Sequence, residues 1–181
     1  MKKKFLALAL ALTLVLSLAA CGGKPSQDAP GSGAPEVTEP EHPAPQEDVD
    51  LSAFYDTLLS ESEWPELMAL EGELLDGLYP GLSDLSLKQC LVRTAAISAV
   101  VGEIALVEAE NAGDAQSAAD IFQARIDYQV GDESSPGGAW YPETIRGWQE
   151  NSHIVTQGTY VMLAVGDCVS DAVERFNALF A

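Results

Sequence analysis

Five side chains stand out as able to grip a ligand: Trp140, Tyr141, Trp148, Arg125 and Arg146. The three aromatics fall in and just after a Gly/Pro-rich stretch, Ser134-Ser135-Pro136-Gly137-Gly138. Loops of this kind often carry binding residues, and Trp and Tyr supply rigid contact area that dominates binding energetics. Arg125 and Arg146 are two of only five basic residues after residue 50. An exposed arginine beside such a loop can hold a carboxylate or phosphate through two parallel hydrogen bonds. The competing expectation is that the aromatics cover a core or a sheet edge and that Arg125 pairs with one of the many acids.

Catalytic motifs are missing from the chain. It has no G-x-S-x-G elbow, no phosphate-binding glycine loop, no H-E-x-x-H and no C-x-x-C. An EF-hand loop is missing too. Of the two histidines, His42 lies in a Pro-rich stretch and His153 starts a predicted strand with no acid or cysteine beside it. That arrangement predicts a structural or surface histidine, no metal site and no cofactor. Carboxylates are abundant, so Glu71 with Glu73, or Asp132 with Glu133, fit a two-carboxylate hydrolase only if a cleft holds them across from each other.

The elements that must position these residues can be read from hydrophobic spacing. Leu51, Phe54, Tyr55, Leu58 and Leu59 recur at helical intervals. Leu67, Leu70, Leu74, Leu75 and Leu78 predict a second helix, with Pro65 in its first turn. Residues 87–100 fit a helix or a strand; the β-branched run favours strands at about 87–96 and 101–109. A helix follows with Ala115, Ala118, Ala119, Phe122 and Ile126 on one face and Asp114 as N-cap. A short helical turn fits after Pro142. Ser152–Thr156 and Thr159–Val165 predict strands around Gln157-Gly158. The last helix carries Val169, Ala172, Val173, Phe176, Leu179 and Phe180, with Asp167 as its cap. These elements predict an α+β domain: an antiparallel four-stranded sheet of two strand-strand-helix units, helices on one face, preceded by an N-terminal helix pair.

The first 50 residues read differently. Met1-Lys-Lys-Lys precedes an apolar run from Phe5 to Leu18, which is short for a membrane span. A charged head, an apolar core and small residues make a secretory signal. Leu18-Ala19-Ala20-Cys21 looks like the lipobox of bacterial lipoproteins, in which the cysteine thiol takes a diacylglycerol and becomes the new N-terminus. The expectation is a signal peptide over residues 1–20, Cys21 lipidated, and a domain held at the outer face of the cell membrane. Residues 21–50 then form a tether, with prolines at 25, 30, 35, 40, 43 and 45 and no aromatic residue. Too little apolar surface is available there to offset ordering entropy.

From residue 21 onward six Lys+Arg stand against 28 Asp+Glu, a formal charge of −22. Residues 51–181 hold five against 21, or −16. This balance argues against nucleic acid as a partner, since that needs clustered Lys and Arg. It leaves an envelope protein or a small ligand as the expected partner, besides the membrane reached through the anchor. An exported chain can form disulfides, and Cys90 and Cys168 are the one possible pair. Sequence does not show that the two meet, and buried free thiols are the favoured reading.

Lipobox, acidic Pro-rich tether, Gly102-Glu103-Ile104-Ala105-Leu106-Val107, Arg125, Tyr141-Pro142 and Gly158-Thr159-Tyr160-Val161 together resemble an uncharacterised lipoprotein family of Gram-positive gut bacteria, catalogued as a domain of unknown function. The resemblance covers about residues 51–181 and implies strands at 101–109. It implies no activity. Two functional expectations remain: a non-enzymatic tethered binding domain, and a cell-envelope hydrolase using carboxylate chemistry. A purely structural envelope protein is a third.

Overall fold

The computed structural model describes residues 48–181. The expected signal peptide, Cys21 and the expected tether up to residue 47 lie outside the described residues. Among these residues five strands and five helices follow one another: α1 (Leu51–Glu61), β1 (Leu67–Ala69), α2 (Glu73–Leu78), a 3-10 turn (Leu82–Asp84), β2 (Leu87–Ala95), β3 (Glu103–Ala109), α3 (Ala112–Val130), α4 (Pro142–Glu150), β4 (Ser152–Gln157), β5 (Tyr160–Val165) and α5 (Val169–Ala178). The strands form one antiparallel sheet in the order β1-β2-β3-β5-β4.

The α+β class is as expected, but the sheet has five strands rather than four. Leu67–Ala69, read as the start of a second helix, instead pairs with Arg93–Ala95 of β2. The leucine spacing over 67–78 is compatible with a helix, but only Glu73–Leu78 forms one. The ring of Pro65 packs where β3 begins, leaving no helix to cap. The ambiguous segment after residue 86 is strand up to Ala95.

Helices cover both faces of the sheet, not one. The two central strands explain why. All seven residues of β3 and all six of β5 are buried, so alternate side chains need cover in opposite directions. Ile104, Leu106, Met162 and Ala164 pack against Leu51, Phe54 and Leu58 of α1 and Ala172 and Phe176 of α5. Ala105, Val107, Val161 and Leu163 pack on the opposite face against Ala115, Ala118 and Phe122 of α3, with Tyr79 and Trp148. Edge-to-face rings close each layer: Phe54 with Phe176 at 5.7 Å and Tyr79 with Phe122 at 5.8 Å.

Helix starts differ from the spacing-based reading by a few residues. Asn111, not Asp114, caps α3: its side-chain oxygen accepts from the Asp114 N–H at 3.0 Å while its amide donates to the Asp114 carboxylate. Asp167 does not cap α5, whose first flanking residue is Cys168; Asp167 accepts instead from the Asn151 amide at 3.3 Å. The chain is already tied into the domain before α1. The Val49 N–H donates to the Tyr160 hydroxyl at 3.2 Å, its carbonyl accepts from Gln89 at 2.7 Å, and Asp50 caps the helix.

The residue just before β3, Gly102, runs close against the side chains of Pro65 and Leu67. A Cβ on Gly102 would sit 2.5 Å from Cγ of Pro65 and 3.2 Å from Cδ2 of Leu67. Gly102→Ala is therefore expected to cost about 1–3 kcal/mol by overpacking, read by urea denaturation. Adding Pro65→Ala should recover part of it; a loss unchanged by the second substitution would exclude this contact as the cause.

Candidate functional site

The buried stripe of α3 runs Ala115, Ala118, Phe122 and then Arg125, at intervals of three and four residues. That spacing carries a guanidinium into the core, where Arg125 is only 4% exposed. It meets Glu103, the first residue of β3, which is fully buried. Nε of Arg125 donates to one carboxylate oxygen at 2.9 Å and Nη2 to the other at 3.0 Å. Thr94 on β2 donates to Glu103 at 2.7 Å, and the Tyr79 hydroxyl donates to it as well. Four donors thus use the carboxylate fully.

The guanidinium plane has aromatic neighbours, with the Tyr79 ring 5.6 Å and the Trp148 ring 5.4 Å from its central carbon. Its third nitrogen, Nη1, has no hydrogen-bond acceptor among the described residues, and these rings are its main electrostatic company there. Burial works against the Arg125 charge, but the hydrogen bonds and charge of Glu103 outweigh it and push the guanidinium further above its usual range. Burial, and then the adjacent Glu103 charge, raise the Tyr79 hydroxyl well above the phenol range, which keeps it a donor.

This cluster divides the five candidate residues. Arg125 and Trp148 come together in the core, so the expectation of an exposed Arg125 beside the loop is overturned. Trp140 and Tyr141 stand in solvent, 82% and 51% exposed, and Arg146 is exposed on α4. Tyr128, 62% exposed at the end of α3, was not singled out by the sequence. Nothing in helical spacing distinguishes it, because it leaves the buried stripe by one position.

The loop bearing Trp140 is fastened at both ends. The Gly138 N–H donates to the Tyr128 carbonyl at 2.8 Å, and the Ala139 N–H to the Gln129 carbonyl at 3.1 Å. A Cβ on Gly138 would lie 2.5 Å from the Tyr128 ring, so glycine allows the loop to lie on that ring. Asp132 closes the tip, accepting from the N–H groups of Ser134 and Ser135 and the Ser134 hydroxyl, which together hold its carboxyl below the usual range. On the far side Pro142 opens α4, and the Thr144 hydroxyl donates to the Tyr141 carbonyl at 2.9 Å.

Arg146 opens onto a groove of about 600 Å³ shared with Trp64, Val101, Glu143, Glu150 and Cys168. Cys168 and Cys90 are free thiols, Cys90 exposed on β2 and Cys168 donating to the Glu63 carbonyl at 3.4 Å. They form no disulfide. Among the described residues no group of three or more His, Cys, Asp and Glu side chains is placed to hold a metal. His153 is exposed on β4. Of the carboxylates weighed as hydrolytic pairs, Glu71, Glu73, Asp132 and Glu133 are all exposed. The second buried carboxylate, Glu108, is also committed. Burial raises it, but hydrogen bonds from Lys88 at 2.8 Å and Gln89 at 2.7 Å outweigh burial and hold it below its usual range.

Sequence reasoning missed Glu103, Tyr79 and Thr94. The signal was present: Glu103 is the one charge that begins an apolar run, Ile104 to Val107, in a strand needing cover on both faces. A charge in that place requires a partner. No helix among the described residues is long and apolar enough to cross a membrane. No family model, curated protein or solved structure matches the chain.

Removing Arg125 leaves the buried Glu103 charge uncompensated. Arg125→Met is expected to destabilise the domain by about 3–5 kcal/mol. The double variant Glu103→Gln/Arg125→Met should be markedly less destabilised than the sum of the two single variants, and Arg125→Lys should not restore stability because it lacks the two-pronged geometry. Chemical denaturation of the wild type and the four variants reads this directly; additive losses would remove the pair as a coupled unit.

Proposed function

We propose that this chain is an extracytoplasmic, lipid-anchored binding domain whose working surface is the aromatic loop at Trp140. The observation that carries the reading is the exposure of Trp140, on a loop held by hydrogen bonds to α3 on one side and leading into α4 on the other. A large indole left in water on an anchored segment is a ready contact for a partner, because little conformational freedom remains to be lost on binding. Tyr141 beside it in the chain and Tyr128 beneath Gly138 supply further exposed aromatic surface. The partner is an envelope protein or a small ligand.

Anchoring rests on the sequence: the basic head, apolar run and Leu18-Ala19-Ala20-Cys21 support lipid attachment at Cys21. A diacylglyceryl group gives stable membrane attachment where one acyl chain would not. A binding role is preferred to carboxylate hydrolysis because Glu103 and Glu108, the two buried carboxylates among the described residues, are each engaged by donors. A hydrolase of that kind needs one carboxyl free to carry a proton.

Two measurements test the proposal. Metabolic labelling with a fatty acid should mark the wild-type chain and not Cys21→Ala; equal labelling would refute the anchor. In pull-downs from solubilised cell envelope, Trp140→Ala/Tyr141→Ala should lose about tenfold or more of whatever the wild-type chain retains, since truncating a hot-spot aromatic commonly costs ~2 kcal/mol. An identical retained set would exclude this loop as the binding surface.

A further inference from the structure

The two edges of the sheet are built differently. On one side β1 is only three residues long, Lys88 stands on β2, and a bulge interrupts the register between Leu87 and Gln89. These are the features by which sheet edges avoid pairing with other chains. On the other side β4 runs in unbroken register along the whole of β5, from Ser152 opposite Val165 to Gln157 opposite Tyr160. Its sequence, Ser-His-Ile-Val-Thr-Gln, contains no proline, no lysine and no acid. Among the described residues its only strand neighbour is β5.

The hairpin geometry shows which groups are free. Gly158 and Thr159 form a two-residue turn, with Gly158 at φ 61°, so the flanking pair Gln157 and Tyr160 is the hydrogen-bonded one. Alternation then turns the backbone of His153, Val155 and Gln157 inward to β5. The N–H and C=O groups of Ser152, Ile154 and Thr156 point outward. Among the described residues no backbone group outside the ladder bonds those of Ile154 or Thr156.

We propose that β4 is a self-pairing edge, where a second copy of this chain adds antiparallel to form a continuous ten-stranded sheet. Outward groups meet outward groups in a two-fold arrangement when the axis passes through a residue position of β4 rather than between two residues. The axis at Ile154 uses all three outward residues of each copy. It sets Ser152 against Thr156, His153 against Val155 and Ile154 against its own copy. None of these pairs opposes like charges, and β-branched residues fill most of the positions. Charge selects this place on the molecule. A domain with a formal charge of −16 repels a second copy over most of its surface, whereas β4 carries no acid along its length. The interface spans about 20 Å of strand, so the dimer is weak and forms at high local concentration. The inference is independent of the aromatic loop.

Sedimentation equilibrium of the chain from residue 21 onward tests it. The expected mass rises from monomer toward dimer between about 10 µM and 1 mM. Raising salt from about 50 to 500 mM should tighten association, because it screens the like charges. Thr156→Pro removes an outward N–H from each copy and should weaken association about tenfold or more. Thr156→Asp, at an exposed position, should weaken it too and make its dependence on salt steeper than in the wild type. In the wild-type dimer the Ile154 and Thr156 amides should exchange hydrogen more slowly than in the monomer. A chain that stays monomeric to 1 mM at both salts overturns the proposal. So does a dimer in which those two amides exchange as fast as in the monomer, since another surface would then hold it.

Discussion

The paired contact between Arg125 and Glu103 is the constraint around which the rest of this domain is arranged. It lies where α3 crosses the start of β3, and its remaining hydrogen-bond capacity is met from β2 by Thr94 and from the segment before the 3-10 turn by Tyr79. Trp148 of α4 covers the guanidinium. Strands β2 and β3, helices α3 and α4 and the segment carrying Tyr79 thus converge on a single ion pair. A buried ion pair is weak evidence for added stability, because desolvating two charges consumes much of their attraction. What it imposes is placement: α3 can take only the rotation and depth that bring Nε and Nη2 to both oxygens at once. The apolar contacts of Phe122 and Ala118 alone would tolerate a shifted helix far more readily.

The second constraint is the pair of central strands. With β3 and β5 apolar on both sides, neither face of the sheet can be left to water, and two helical layers are required. The layer of α1 and α5 is fastened at its end by Arg175, which reaches Asp171 at 2.8 Å within α5 and also Glu61 of α1, while Ser62 bonds Asp171. These contacts are exposed and screened, and they locate the helix ends rather than hold the fold. On the same side Arg93 of β2 lies 5.6 Å from the Tyr55 ring of α1. The domain therefore uses its few basic residues at junctions between elements: Lys88, Arg93, Arg125 and Arg175 each meet a partner from another segment.

Strands and helices with one clear period were legible in the sequence. The C-terminal helix, with Val169, Ala172 and Phe176 facing inward, and the all-apolar β5 followed directly from spacing. The failures have physical reasons. Leucines at 67, 70, 74, 75 and 78 satisfy a helical stripe, but Leu67 and Ala69 gain more by completing the sheet beside Arg93–Ala95, a long-range contact that local spacing cannot register. The covering of both faces was implicit in β5, since a strand buried on both sides cannot have helices on one side alone. Arg125 was legible as a notable residue and illegible as a buried one, because its partner lies 22 positions away. Trp140 and Trp148 are eight residues apart in one aromatic-rich stretch, yet one is in solvent and the other in the core. Only the direction in which α4 leaves the loop separates them.

The clamp on Val49 has a mechanical consequence. The chain enters the domain through a residue whose N–H is held by the Tyr160 hydroxyl and whose carbonyl is held by Gln89, next to the capped start of α1. Any pull exerted through the preceding residues therefore arrives at the sheet itself, at the β5 and β2 side chains that grip Val49. Helix α1 is the element loaded next, and it is held by side-chain packing, Phe54 and Leu58 in the layer with Ile104, Leu106 and Met162 and Phe54 against Phe176 of α5, rather than by a strand ladder. Under load, α1 would peel away as a unit while the ladder between β3 and β5 kept its register. The Trp140 loop, carried between α3 and α4 over the opposite face, stands apart from that line of force.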